Sequence, residues 1–252
     1  MPHQIDASFP ISELRTTEGC LTFQVPQAHF GSLDILLPSL KERSKAMPND
    51  SQSFVALRPM FNELRGPRVL VRSYELADAP QRFEAMEESR EHIRRWDPDD
   101  AEVCRSLDDT TDWIVRKTAQ WSLRQAFSMG FWSQDTNRYL GGIGLHLRQP
   151  GGWAVPAFSI GYWVRPSEQG LGYVTEAVGL VVDYALNVLE AQRIEIVCDP
   201  ENIRSASIPQ RLGFQLEGRV RNIYRHPDGR LCDELIFGLT PTDRRMQTTG
   251  SV

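Results

Sequence analysis

The sequence predicts an α/β fold in which strands and helices alternate, and three stretches carry that expectation. Phe158-Ser159-Ile160-Gly161-Tyr162-Trp163-Val164 is rich in aromatic and β-branched residues, which suits a buried strand. Arg165-Pro166-Ser167-Glu168-Gln169-Gly170-Leu171-Gly172-Tyr173 follows as a glycine-bearing loop; proline cannot donate to a strand ladder, so Pro166 ends the strand. Val174, Ala177, Val178, Val181, Val182, Ala185 and Leu189 then form an apolar stripe at helical spacing, with Glu176, Gly179, Asp183, Asn187 and Glu190 on the other face.

The remaining elements follow in order. Residues 1–67 carry the weakest patterning: a short strand is expected at 21–25, a short helix at 32–40 and a polar loop at 39–53. This segment reads as an extension that packs on the domain, with an arm, a lid or a dimer contact as its other possible uses. A strand is expected at 68–72. Asp78 can cap the next helix, with Pro80 in its first turn, running to Trp96 and broken by Asp97-Pro98-Asp99-Asp100. Thr110 or Thr111 is the expected cap of the following helix, which carries Trp113, Ile114, Lys117, Trp121 and Leu123. Strands at 126–132 and 139–147 are joined by a turn at Asp135-Thr136-Asn137. After the long helix come a strand at 193–197, a short helix at 202–212 and strands at 214–224 and 231–239 around a His226-Pro227-Asp228-Gly229 turn. The expected organisation is an extension over 1–67, one domain over 68–243, and a disordered tail over 244–252, with order fading from Pro241.

Composition narrows the function. At 252 residues the chain can bury a large core. A net charge of −5 argues against a general nucleic-acid binder. Cys20, Cys104, Cys198 and Cys232 are far apart with no CxxC pair, which predicts a reducing compartment, no disulfide framework and no metal site. No basic and apolar leader opens the sequence and no run of about 18 apolar residues spans a membrane, so the expected location is the cytoplasm.

The glycine loop delivers the chain to a helix N-terminus, where free N–H groups and the positive dipole end favour an anion. Gly170 and Gly172 let a phosphate approach the backbone; equally, a tight β–α turn needs glycines for its own geometry. Gly-Lys followed by Ser or Thr is absent, which excludes a Walker loop. Thr175 stands where a dinucleotide fingerprint needs its third glycine.

Several further motifs, in this order and spacing, complete a pattern: Asp199-Pro200-Glu201-Asn202-Ile203-Arg204-Ser205, Arg211-Leu212-Gly213-Phe214 and Leu216-Glu217-Gly218. With the strand and loop above, residues 68–243 resemble the GCN5-related N-acetyltransferases (GNAT), and within them the RimJ/RimL-like branch. That resemblance implies a GNAT acyl-CoA fold: an α/β (α+β) domain whose mixed, mostly antiparallel central sheet has a splayed parallel strand pair, with helices on both faces. It implies acetyl-CoA as cosubstrate and no metal. The pyrophosphate would sit on the N–H groups of Gln169, Gly170, Leu171, Gly172, Tyr173, Val174 and Thr175, and the pantetheine amides on Trp163 and Val164. The family's loop pattern ends on a small residue where this chain has Val174. Asn202 would hydrogen-bond pantetheine or the amine, and Ser205 would return a proton to the departing thiolate; a helix cap and a first-turn serine are the bland readings. Arg211 reaches a CoA phosphate or is an exposed helix arginine.

The general base stays open among Glu168, Glu176, Glu217 and Asp233. Some members of the branch carry a glutamate where this chain has Tyr224, which could act as an acid or touch the substrate. An α-amine, with a pKa near 7.7–8.0, needs less help from a base than a lysine near 10.4. The expected acceptor is therefore a protein N-terminal α-amine or a small-molecule amine. An aminoglycoside or polyamine acceptor with walls at 92–96 and 148–157, a succinyl donor, and a non-catalytic acyl-CoA-binding protein are the alternatives. Homodimerisation is expected from the family alone.

Overall fold

A computed structural model of the chain describes residues 60–148, 152–226 and 228–244. The expectations for 21–25, 32–40 and 39–53 lie outside the described residues. The elements are β1 (Glu63–Arg65), β2 (Val69–Ser73), α1 (Ala79–Arg94), α2 (Pro98–Ala101), α3 (Leu107–Ser122), β3 (Ala126–Ser133), β4 (Tyr139–Leu147), β5 (Ala157–Val164), α4 (Tyr173–Asn187), β6 (Arg193–Cys198), α5 (Ile203–Arg211), β7 (Gln215–Arg225) and β8 (Leu231–Leu239). Among the described residues no helix is long and apolar enough to cross a membrane.

The strands form one sheet in the order β1-β2-β3-β4-β5-β6-β8-β7. Every neighbouring pair is antiparallel except β5 and β6. Alternation along β3 decides the two layers. Phe127, Met129 and Phe131 face one side, where the stripe of α4 (Ala177, Val178, Val181, Val182, Ala185) completes the main core. Trp132, with Tyr139 of β4, faces the other side, against Ala79 and Ala85 of α1 and Ile114 of α3. Each large side chain buried this way contributes about 1.5–3 kcal/mol.

The parallel pair is short. Its register is Ala157↔Arg193, Phe158↔Ile194 and Ser159↔Glu195, and there it stops. Beyond Ser159, β5 stays with β4 through Val164↔Gly141, while β6 stays with β8 through Cys198↔Leu235. The strands part into a V, as the family resemblance implies.

Three local expectations are corrected and one is extended. Asp78 precedes α1 but does not cap it with its side chain; its carboxylate accepts from Glu75 N at 2.8 Å and from Arg72 at 2.7 Å. The helix does break before 97–100, ending at Arg94, and Asp97 Oδ1 then caps the short α2 by accepting from Asp100 N at 3.0 Å. Ser106, not Thr110 or Thr111, caps α3, its hydroxyl accepting from Asp109 N at 3.0 Å. Past Pro241 the chain makes a helical turn over 241–244, where Asp243 Oδ2 accepts from Thr240 N at 2.9 Å.

Candidate active site

One lip of the V is the loop from β5 to α4. Arg165 anchors its start; the side chain is 1% exposed and donates to Tyr139 O at 2.8 Å, Glu88 Oε2 at 2.7 Å and Glu84 Oε1 at 3.0 Å. Gly170 and Gly172 have φ of +78° and +82°, so the turn requires glycine. Space agrees with the anion reading as well: a Cβ on Gly170 would meet no atom within 4 Å, and one on Gly172 only Arg68 Nη2, at 3.3 Å. The turn and the anion site are one structure. Glu176 N bonds back to Gly172 O at 3.1 Å, while the N–H groups of the turn before it have no intrahelical acceptor. Glu176 itself is structural: its carboxylate accepts from Arg68 N at 2.7 Å, Arg68 Nε at 2.8 Å and Val69 N at 3.1 Å.

The other lip is α5. Asn202 caps it, Oδ1 accepting from Ser205 N at 3.1 Å, which leaves the Nδ2 end for a ligand. Ser205 Oγ donates to Tyr162 Oη at 3.3 Å, and Tyr162 Oη donates to Ser205 O at 3.0 Å. Burial keeps the Tyr162 hydroxyl protonated far into the alkaline range. Burial likewise pushes the neighbouring Cys198 thiol up to about 11. Gln169 ties the two lips together, its carbonyl accepting from Arg204 and its Nε2 lying 2.9 Å from His92 Nε2.

Between the lips, and continuing under α1, lies a cavity of about 1000 Å³. Trp163, Val164, Gln169, Gly170, Gly172, Tyr173, Val174, Thr175, Asn202, Ser205 and Arg211 all line it. Its floor on the α1 side is bare sheet, because Gly144 of β4 faces Gly161 of β5 and Gly142 sits next to them. A Cβ on Gly142 would come within 2.7 Å of Trp163 Nε1, so the glycine makes room for the indole.

Three residues weighed for the chemistry, Glu217, Tyr224 and Asp233, go elsewhere. Glu217 faces Arg193, whose Nη1 donates to its Oε1 at 2.7 Å; that guanidinium holds its carboxyl below the usual range. Tyr224 donates to Asp199 Oδ2 at 3.3 Å and does not line the cavity. Asp233 pairs with Arg219 at 2.7 Å. Glu168 lines the cavity but pairs with Arg138 at 3.1 Å. Glu217→Gln is therefore expected to leave kcat within about threefold of wild type and stability within about 1 kcal/mol, as for a surface pair; steady-state kinetics with a melting curve checks it. Tyr162 is the residue the sequence reading passed over. The available signal was the period of two, which puts it on the α4 and α5 face with Phe158 and Ile160.

The Gln169 contact also predicts a pH response. An amide nitrogen only donates, so His92 Nε2 accepts and the ring is neutral. Burial, with Arg204 and Arg95 nearby, lowers the His92 pKa. The folded state then binds fewer protons than the unfolded one just below the ordinary histidine value of about 6.5, so stability rises with pH across that window. The contribution is complete above it and lost as pH falls toward the depressed value. Melting temperature should fall as pH drops below about 6.5, and His92→Gln should flatten that slope.

Residues 68–215, more than half of the chain, match the family model described as "Acetyltransferase (GNAT) domain". The chain belongs to the GNAT family. "Probable N-acetyltransferase YjcK" of Bacillus subtilis is 28% identical to this GNAT chain over 158 residues, 63% of the chain and 86% of that protein. Spermidine N(1)-acetyltransferase of Escherichia coli is 35% identical over 57 residues, 23% of the chain and 31% of that protein. Among solved structures, the ribosomal L7/L12 α-N-protein acetyltransferase RimL in complex with coenzyme A aligns with a TM-score of 0.64, 17% identity, 71% of this chain and 97% of that one. The family makes this GNAT chain an acyltransferase, and the RimL structure shares its fold.

Proposed function

We propose that the chain moves the acetyl group of acetyl-CoA directly to a primary amine of low pKa, a protein N-terminal α-amine or a small-molecule amine. The observation that carries the reading is the V itself. Unbonded N–H groups at the start of α4 stand on one lip, Ser205 on the other, and one cavity joins them. Bound acetyl-CoA supplies the acyl group as a thioester. The loop N–H groups and the dipole of α4 suit its diphosphate, and the open edge of β5 beyond Ser159 suits its pantetheine amides. Asn202 Nδ2 and Ser205 Oγ stand where the thioester end would lie.

In the transfer an amine lone pair forms the C–N bond, the C–S bond breaks, and the amine gives up one proton. Ser205 Oγ–H is the group suited to donate toward the departing sulfur. Glu217, Tyr224 and Asp233 all face other partners, so no strong base comes from them. That favours an acceptor neutral on its own account: at pH 7 roughly one α-amine in ten is neutral, against about one lysine in 2500. The raised thiol of Cys198 argues against an acyl-cysteine intermediate, because the thiolate is the nucleophile. The relatives' names agree on acetylation of an amine but divide on its kind, one naming a protein α-amine and one a polyamine, whose alkyl amines are as basic as lysine.

Calorimetry with coenzyme A, followed by an amine library read by free-thiol release with acetyl-CoA and succinyl-CoA, tests the reading. Uptake with turnover of α-amines supports it. Absent uptake overturns it. Tight uptake with no turnover of any amine would leave an acyl-CoA-binding protein, and equal turnover of lysine and α-amine in a peptide would remove the preference.

A further inference from the structure

Arg82, on α1, lines the deep end of the cavity beneath Tyr74, Trp113 and Trp163. It is 1% exposed, and among the described residues no carboxylate lies within ion-pair distance. Only Nη1 finds an acceptor, Tyr139 Oη at a long 3.4 Å, and Nε has none. Three aromatic faces surround the guanidinium, with centroids at 3.7 Å (Trp113), 5.4 Å (Tyr74) and 5.7 Å (Trp163). Ring faces stabilise a cation but cannot accept its in-plane N–H groups. A guanidinium stays charged in any protein environment, and a buried charge without a partner is strongly unfavourable. This end of the cavity also holds Lys117 and Asp100. Arg95 and Asp97 line the cavity as well; what it lacks is an acceptor in line with the Arg82 guanidinium, whose Nε has none.

We infer that the acceptor amine carries a carboxylate, and that this carboxylate docks on Arg82 within the aromatic box of Tyr74, Trp113 and Trp163. The inference rests on the amine-acetyltransferase reading above and specifies its acceptor; for a free amino acid, binding by the carboxylate takes the place of the low-pKa preference. The carboxylate has two possible sources with the same chemistry, the α-carboxylate of a free amino acid or an acidic side chain next to a peptide N-terminus. Planar guanidinium recognition of a carboxylate is the strong, geometrically defined form of charge-assisted hydrogen bonding. A polycation of the spermidine kind would meet Arg82 and Lys117 head-on.

The test uses the full chain with acetyl-CoA and free-thiol release on matched pairs. One arm sets phenylalanine and methionine against their primary amides. The other sets Ala-Glu amide against Ala-Gln amide, and spermidine is run beside both. A carboxylate makes the nearby amine more basic, so solution reactivity favours the neutral member of each pair. A preference of tenfold or more in kcat/KM for the acid in either arm, carried mainly by KM, is therefore the expected result, and the arm that shows it names the source. Arg82→Gln should collapse that ratio to within about twofold, with coenzyme A uptake by calorimetry reporting an intact fold. Arg82→Lys keeps the charge without the planar fork and should fall between; it serves if the glutamine variant does not fold. N-acetylphenylalanine against its amide, titrated on the tryptophan fluorescence, repeats the comparison without turnover. Neutral members favoured in both arms, spermidine as the best acceptor, or an acid preference that survives Arg82→Gln each overturn the inference. So does normal coenzyme A uptake without turnover or binding of any acid. Missing coenzyme A uptake would instead remove the parent reading.

Discussion

Arg165→Met is expected to lower the stability of the domain by about 2–4 kcal/mol, the loss of its buried hydrogen bond to a carbonyl and its charge-assisted bonds to two carboxylates that stay partly in water. In a domain of this size that is a fall of roughly 10 °C in melting temperature. The side chain is fully buried, and methionine fills much of its volume without any donor. The carbonyl of Tyr139 and the carboxylate of Glu88 would then lose their donors at 2.8 and 2.7 Å. Against the upward push of burial, the Ser167 hydroxyl at 2.6 Å and Arg165 hold the Glu88 carboxyl below its usual range, so the charge stays behind when the arginine goes. The loss also reaches function. Arg165 joins the end of β5 to α1 and begins the turn to Gly172, so coenzyme A affinity should drop with stability. Glu88→Gln keeps an acceptor for Ser167 and should cost less than half as much. Thermal melts of the three proteins, with coenzyme A titrations, decide this; a melting temperature of Arg165→Met within 2 °C of wild type would show that the anchor is not needed.

What was legible in the sequence follows from how locally each feature is encoded. The stripe of α4 and the glycines at 170 and 172 lie within a few residues of each other, and their physical demands, one buried face and two positive φ angles, leave little choice. The splay at Ser159 came through the family resemblance, since no residue near it announces that two strands part. The cap of α3 was missed because three hydroxyl residues compete there. The structure gives the cap to Ser106, while Thr110 and Thr111 bond back to Ser106 O and Leu107 O, a local alternative open to any threonine. β1 was invisible: Glu63-Leu64-Arg65 is three residues at an edge, with no period to read. Glu217 and Tyr224 show why faces on β7 could not be counted from its start. The β7–β8 register shifts between Leu216 and Gly218 and again between Val220 and Tyr224, and each irregularity resets the alternation. Arg82 gave no signal at all, because an arginine on a charged helix reads as solvated until the aromatic residues of three other segments close over it.

Ser205→Ala is expected to reduce kcat by about 10- to 100-fold, the worth of one hydrogen bond to a group that becomes charged, while coenzyme A affinity stays within about threefold. The serine has one neighbour that can take over its role. Tyr162 Oη lies 3.3 Å from Ser205 Oγ, lines the same cavity, and is kept protonated by its burial, so it too can give a proton. The hydrogen-bond directions separate them. Ser205 Oγ donates to the phenol, and the phenol donates onward to Ser205 O, closing a two-membered ring that holds the serine rotamer. Each hydroxyl's one proton is engaged in this resting pair, so the serine acts by turning its O–H from the phenol to the departing sulfur, while the tyrosine stays bonded to Ser205 O and positions it. Tyr162→Phe should then cost a few-fold in kcat, together with about 1 kcal/mol of stability from the bond to α5. The double variant should be no slower than Ser205→Ala, because removing the positioning group cannot matter once the group it positions is gone. A Tyr162→Phe defect larger than that of Ser205→Ala would reverse the roles. Two independent defects that multiply in the double variant would show that each hydroxyl contributes its own proton path to the thiolate.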